Sequence, residues 1–230
     1  MEQVHSFWFG STLSPLECSC YRSWTKQGYQ HNLWTYGDVG EIPEGTVRRD
    51  AAQVLPADRI FQYQAGSYGL GSYSGFSNFF RYRLLGEVGG IWADSDMYCL
   101  RPLPDQDYLF VQECEKVATC LFRVPPQSAL LRSCWDFCDA ADVTKLQWAQ
   151  SGPFLLSREI LRHQLTAAVQ PSALFLPVMW PQASRLAESP ALDLVECYTV
   201  HFWHEQLRQQ GVDKQKRYPG STFDQLIYGS

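Results

Sequence analysis

Residues 76–98 read F-S-N-F-F-R-Y-R-L-L-G-E-V-G-G-I-W-A-D-S-D-M-Y, and this stretch decides the fold. Phe76, Phe79, Phe80, Leu84 and Val88 recur at i, i+3, i+4, i+8 and i+12, so the spacing predicts a helix from Phe76 to Val88. Gly89-Gly90 stops it, because glycine is a poor helix former and a common residue just past a helix end. Ile91 to Ala93 then form a short apolar strand that runs into Asp94-Ser95-Asp96. Alternation along an extended chain turns the side chains of Asp94 and Asp96 to one side. Two hard carboxylate donors aimed at one point suit Mg²⁺ or Mn²⁺. In open α/β sheets ligands bind beyond the carboxyl ends of strands, which is where this pair falls. An isolated Asp-x-Asp is also a common solvated turn, so its context has to carry the chemistry.

Toward the N-terminus, Val4 to Phe9 reads as a buried strand ending at Gly10. Ser14, Pro15 and Glu17 supply a cap hydroxyl, a first-turn proline and a carboxylate three residues on, which together start a helix. Leu16, Cys20, Tyr21 and Trp24 give that helix an apolar face, Gly28 ends it, and His31 to Tyr36 reads as a second strand. Strand, helix, strand is the opening of an α/β fold. Residues 37–72, rich in Gly, Pro and Asp, read as connections and short elements. The glycine-rich run Gly66 to Gly75 lacks the Gly-Lys-Ser/Thr ending of a phosphate-binding loop and reads either as a loop over a ligand or as a plain surface loop.

Toward the C-terminus, Tyr108 to Gln112 and Val117 to Val124 read as strands and Ser128 to Asp142 as a helix, with Leu131, Cys134, Trp135 and Cys138 on its buried stripe. Phe154 to Leu165 reads as helical, Leu174 to Val178 as extended, Val195 to Trp203 as a strand, and the residues after Arg217 as a tail. Cys18 and Cys20, two apart on a helix, point about 200° from each other and cannot share a zinc ion without unwinding it.

A 230-residue chain that is 45% hydrophobic and 14% aromatic can fill one sizeable core. Its net charge of −5 argues against a broad grip on nucleic acid, which depends on a concentrated basic surface. No run approaches the roughly 18 apolar residues of a membrane span. The opening MEQVHSFWFG lacks the charged and long apolar regions of a signal peptide, so the expected address is the cytoplasm, at most peripheral to a membrane.

Residues 76–98 resemble the glycosyltransferase family defined by a sugar-binding region containing a DXD motif, related to yeast mannosyltransferases and the clostridial glucosylating toxins. Arg81, Gly89, Gly90, Asp94 and Asp96 match its pattern in residue and spacing. The resemblance implies an α/β fold of the GT-A type, with a mixed central sheet flanked by helices. It also implies a retaining hexosyltransferase of polysaccharide biosynthesis that uses Mn²⁺ or Mg²⁺, a UDP- or GDP-sugar donor and a saccharide or glycan acceptor. Residues 1–230 would form one domain, with 1–112 binding the nucleotide sugar and 113–230 supplying the acceptor side and a closing segment.

The resemblance also assigns roles. Arg81, Asp94 and Asp96 form the catalytic set; Trp8, Gly10, Ser77, Asn78, Arg81 and Asp94 bind the donor; Asp94, Asp96 and His201 hold the metal. Asn78 and Arg81 lie three apart on one helix face and can meet the same ligand, although Arg81 reads equally as an ion-pair partner of Glu87 or Asp94. The family usually has Asp where this chain has Asn78, which points to a different donor sugar or a weakened enzyme. Trp8 reads either as a partner of the nucleobase or as core. Ser151-Gly152-Pro153 resembles a turn before a helix in the same family, whose N-terminus could face an anion; a proline-started helix alone also accounts for it. His201, in the run Tyr198 to His204, resembles the family's closing His-x-Trp. Imidazole is an accepted ligand for first-row metals, and the other readings of His201 are a phosphate contact or packing beside Trp203. Tyr68, Tyr73 and Trp180 are candidates for the floor of an acceptor site.

Two rival functions frame this reading. A catalytically silent sugar-nucleotide binder remains open because of Asn78. An aspartyl phosphohydrolase also places Asp-x-Asp after an apolar strand, but needs a later Gly-Asp, and none follows Asp96.

Overall fold

The chain begins with β1 (Gln3–Phe7), α1 (Pro15–Lys26), β2 (Gln30–Thr35) and β3 (Thr46–Asp50), in a computed structural model that describes residues 1–66 and 69–229. α1 starts as its sequence dictates, with the Glu17 carboxylate accepting from the Ser14 backbone N–H at 2.7 Å. α2 (Ser74–Val88) and β4 (Gly90–Ala93) follow the pattern of residues 76–98 closely. Phe76, Phe79, Phe80 and Leu84 are buried, whereas Val88, beside the glycine stop, is exposed. Next come β5 (Met97–Cys99), β6 (Leu109–Glu113), β7 (Lys116–Val124), α3 (Ala129–Ala140), α4 (Pro153–Arg162), β8 (Val169–Gln170), β9 (Thr199–His201), α5 (His204–Gln209) and α6 (Thr222–Tyr228).

Seven strands form one mixed sheet in the order β3-β2-β1-β4-β7-β6-β8, and β5 pairs with β9 in a separate two-stranded sheet. β3, β2, β1 and β4 are parallel, while β7 runs antiparallel to both β4 and β6. The chain passes from β1 outward to β3 and then returns to the other side of β1 at β4. In open α/β sheets ligands bind at such a reversal, here beyond the carboxyl ends of β1 and β4. One face of the sheet is closed by a core containing Phe76, Phe80, Trp92, Phe122, Leu131, Cys134 and Leu156, drawn from α2, α3, α4 and the strands beneath them. On the other face Tyr21, Leu33, Val200, Phe202 and Phe223 pack together, joining α1, α6 and β9.

Several sequence expectations are corrected here. Leu174 to Val178 is not extended: a single 3-10 turn at Ser172–Leu174 follows Pro171, and Phe175 and Leu176 are buried one by one. The strand expected over Val195 to Trp203 shrinks to β9, because Val195 lies exposed in a turn and Trp203 adopts a left-handed backbone with φ 53°. The tail after Arg217 contains α6, capped by Ser221, which accepts from Asp224 N at 3.1 Å. Its hydrophobic period is only two turns long and follows Pro219-Gly220, too little for periodicity to register. Tyr68 and part of the glycine-rich run lie outside the described residues. Among the described residues, no helix is long and apolar enough to cross a membrane.

Candidate metal and donor site

Beyond Ala93 the chain leaves the sheet. Asp94 N still donates to Cys120 O on β7 at 2.8 Å, and Met97 N donates back to Asp94 O at 2.9 Å, closing a tight turn. The two aspartates therefore converge through a turn, rather than through the strand alternation expected from spacing. β5 then pairs antiparallel with β9, with Met97 opposite His201. This register carries His201 to Asp96: Nε2 lies 3.1 Å from Asp96 Oδ1. The backbone N–H of His204, at the first turn of α5, donates to Asp96 Oδ2 at 2.8 Å, and Phe202 N donates to Asp96 O at 3.0 Å.

Asp94, Asp96 and His201 each place one ligand atom within 4.8 Å of the others. Burial opposes charge on Asp96, but the His201 charge and the hydrogen bonds from His201 and His204 outweigh it and hold the carboxyl well below the usual carboxylate range. Burial likewise opposes a proton on His201, and Asp96 overrides it, raising the imidazole well above its ordinary value. The Asp96 carboxylate beside His201 thus makes this a place where positive charge is favoured. Two carboxylates and an imidazole also make a donor set that a hard or borderline divalent cation accepts, so these residues fit such an ion.

Asp94 is held from the other face of the sheet. Its Oδ1 accepts from Trp92 Nε1 at 2.7 Å and lies 3.2 Å from Arg81 Nη2. The Arg81 guanidinium is 4% exposed and sits 4.7 Å over the Trp92 ring. Its remaining donors go to Ser77: Nε to the carbonyl at 3.2 Å and Nη2 to Oγ at 2.8 Å; Nη1 goes to the Thr119 carbonyl. Of the two ion-pair partners considered for Arg81, Asp94 is the one in contact, since Glu87 pairs with Arg83 at 2.8 Å. Trp92 was missed as a site residue, although its place two before Asp94 was a usable signal.

Asn78, one turn before Arg81 on α2, is buried and donates from Nδ2 to Ser151 Oγ at 3.4 Å. The Ser151-Gly152-Pro153 turn therefore lands on Asn78, bringing the start of α4 with it. A Cβ on Gly152 would lie 2.9 Å from Asn78 Nδ2, so the close approach requires glycine. At the end of β1, Trp8 is half-buried, with Gly10 beneath its indole and the Lys214 ammonium 5.2 Å from its ring. Lys214 is anchored on Glu17 at 2.7 Å. Trp203, also unassigned from sequence, lies against His201 with ring centroids 3.9 Å apart. A crevice of about 460 Å³ lies apart from the carboxylates, lined by Ser14, Cys18, Arg22 and Glu41 at the start of α1.

Residues 15–115 match the family described as glycosyltransferase sugar-binding region containing DXD motif. Among solved structures, the chain is similar to the PaToxG glycosyltransferase at 14% identity and a TM-score of 0.51, over 70% of this chain and 69% of that one. The galactosyltransferase LgtC, solved in complex with donor and acceptor sugar analogs, aligns at 9% identity and a TM-score of 0.46, over 98% and 95% of the two chains. The fold is of the GT-A type, a mixed α/β sheet flanked by helices.

Proposed function

We propose that this chain, which carries a glycosyltransferase sugar-binding region over residues 15–115, is a metal-dependent, retaining hexosyltransferase. It takes a sugar from a UDP- or GDP-sugar and passes it to a hydroxyl of a saccharide or glycan, as in polysaccharide biosynthesis. The observation that carries the reading is the convergence of Asp94, Asp96 and His201 within 4.8 Å at the carboxyl end of β4. Mn²⁺ or Mg²⁺ bound there would neutralise charge on the departing diphosphate.

The protein's own groups have separable tasks in this reading. Asp94 and Asp96 present the ligand oxygens, and His201 completes the set from the closing segment. Arg81 keeps Asp94 in place, beside Ser77 and Asn78 on the donor-sugar side, and the Arg81→Ala comparison below tells whether it also meets the sugar. Trp8 and Gly10 form the nucleotide side at the end of β1. Residues 1–112 serve mainly the donor and 113–230 the acceptor and closure, although one sheet joins the two halves.

Thermal denaturation with UDP-, GDP- and CMP-sugars in the presence of Mn²⁺ tests the reading, because a ligand that binds only the native state raises stability by RT ln(1 + [L]/Kd). A metal-dependent rise with one donor class is expected. No rise with any donor, or a rise undiminished by EDTA, would overturn it.

A further inference from the structure

Among the described residues four large aromatic side chains are exposed, and three of them, Phe9, Trp148 and Phe154, are tied to the residues around Asp94. Phe9 lies two residues beyond Phe7, whose carbonyl accepts from Ser95 Oγ, inside the Asp94–Asp96 turn, at 2.9 Å. The Phe9 ring meets Tyr73 with centroids 4.2 Å apart. Tyr73 caps α2 and accepts from Ser77 N at 2.9 Å, and Ser77 Oγ holds the Arg81 guanidinium that pairs with Asp94. Trp148 and Phe154 flank the turn that brings Ser151 and Gly152 onto Asn78, a turn closed by Phe154 N donating to Ala149 O at 3.3 Å. Trp148 also lies 5.5 Å from the Tyr63 ring, which packs against Gly75 in the first turn of α2. A Cβ on Gly69 would fall 1.8 Å from the Trp148 ring, so the glycine-rich loop rests on it more closely than a side chain allows. The four rings thus follow the starts of α2 and α4 around Ser77 and Asn78.

Phe9, Trp148 and Phe154 are 42%, 38% and 54% exposed, and Tyr73 is half-buried. Aromatic surface left in water beside a site marks a place where a ligand lies. The charge pattern says which ligand. The segments that carry the rings, residues 3–16, 62–80 and 146–157, contain no Asp, Glu, Lys or Arg, in a chain that is 19% charged. What stands beside the rings instead is amide and hydroxyl, including the exposed Gln147 and Gln150. Lys116, with Nζ 5.0 Å from the Phe154 centroid, brings a charge to the edge of this surface. Nucleic acid and anionic membranes are held by clustered Lys and Arg, which these segments lack. A neutral sugar ring offers what they match: C–H faces for the electron-rich faces of aromatic rings, and hydroxyls for side chains that both donate and accept.

We propose that Phe9, Tyr73, Trp148 and Phe154 form the platform for the acceptor, and that the acceptor is a neutral oligosaccharide long enough to lie on several of these rings at once. As an acceptor platform it rests on the glycosyltransferase reading above. The platform draws Phe9 and Tyr73 from the half of the chain that serves the donor and Trp148 and Phe154 from the other half. It therefore meets the donor-sugar side at Asn78, the residue on which both halves converge.

Maltohexaose, mannohexaose and cellohexaose serve as neutral probes, titrated against the wild type and against Phe9→Ala, Trp148→Ala and Phe154→Ala, with binding read by saturation-transfer NMR. Leu161→Ala, an exposed apolar residue at the other end of α4, is the control. Affinity for UDP- and GDP-sugars with Mn²⁺ is followed in parallel by calorimetry. At least one hexasaccharide is expected to bind, with affinity lowered at least fivefold in Trp148→Ala and Phe154→Ala, unchanged in Leu161→Ala, and donor affinity within twofold throughout. Phe9 and Phe154 are exposed enough for their variants to fold, so they carry the test if Trp148→Ala does not. Failure of all three hexasaccharides to bind the wild type overturns the proposal, and so does affinity that survives in Phe9→Ala and Phe154→Ala or falls equally in Leu161→Ala. Binding of phosphatidylcholine vesicles in place of the hexasaccharides, lost in the same variants, overturns it in favour of a membrane surface. A wild type that binds a hexasaccharide on these rings but no nucleotide sugar with Mn²⁺ overturns the glycosyltransferase reading instead, a result calorimetry distinguishes.

Discussion

His201 Nε2 and Asp96 Oδ1 lie 3.1 Å apart although 105 residues separate them in the chain. The contact follows from the β5–β9 pairing that sets Met97 opposite His201, and it joins the closing segment to the aspartate pair. The site therefore needs the Asp94–Asp96 turn and the segment around His201 in place together, and most of its testable behaviour follows from this coupling.

Metal dependence is the first expectation. Asp96→Ala removes a ligand oxygen and the partner of His201, and should abolish Mn²⁺-dependent donor binding while the protein stays folded, as judged by circular dichroism. Donor affinity that survives EDTA would count against the carboxylate pair as a metal site.

His201 should matter by a measurable amount. Losing a charge-assisted contact costs about 1.5–3 kcal/mol, so His201→Ala is expected to weaken metal-dependent donor binding by roughly ten- to a hundredfold. A folded His201→Ala variant with unchanged metal and donor affinity would remove His201 from the site.

The same pair has a pH signature. Asp96 raises the His201 imidazole, so the stabilisation from its proton is fully present below the unfolded histidine value and is lost as pH rises through the folded one. The depressed Asp96 works in the opposite sense: its contribution is present above the unfolded carboxyl value and is lost as pH falls toward the folded one. A divalent cation on His201 must replace that proton. Metal affinity should therefore rise with pH, and binding should release a proton, measurable by calorimetry in buffers of different ionisation enthalpy. A pH-independent affinity with no proton release would contradict this assignment.

Arg81 separates two roles that its sequence position left equal. A sugar contact would make Arg81→Ala hurt nucleotide-sugar binding more than nucleoside-diphosphate binding. A tether on Asp94 would weaken both alike, through the metal. The 3.2 Å pairing with Asp94 and the 4% exposure of the guanidinium favour the second outcome. Calorimetry with Mn²⁺ and each ligand decides between them.

The glycine stop is structural, and its loss should be felt in stability. Gly89 has φ 68° and ψ −160°, a region open to little besides glycine, and a Cβ there would lie 2.3 Å from Pro126 N. Gly89→Ala should cost at least about 2 kcal/mol, given that such backbone strain alone is worth roughly 1–3 kcal/mol. Chemical denaturation with an unchanged midpoint would refute it.

Local patterns were enough to read α1, α2, β4 and the Asp94–Asp96 pair from the sequence, because caps, a glycine stop and helical or strand periods act over a few residues. The same patterns marked Asn78 and Arg81 as sharing a helix face. What those side chains meet was decided by tertiary structure: Ser151 on Asn78, Asp94 and Trp92 on Arg81, His201 on Asp96. Each partner except Trp92 and Asp94 arrives from more than 70 residues away. α6 and the shortened β9 were likewise out of reach, since seven- and three-residue elements carry too little periodicity and owe their form to packing against α1 and β5. Short-range propensity is encoded residue by residue. The meeting of distant carboxylates and imidazole depends on strand register, which emerges only when the sheet and its core form together.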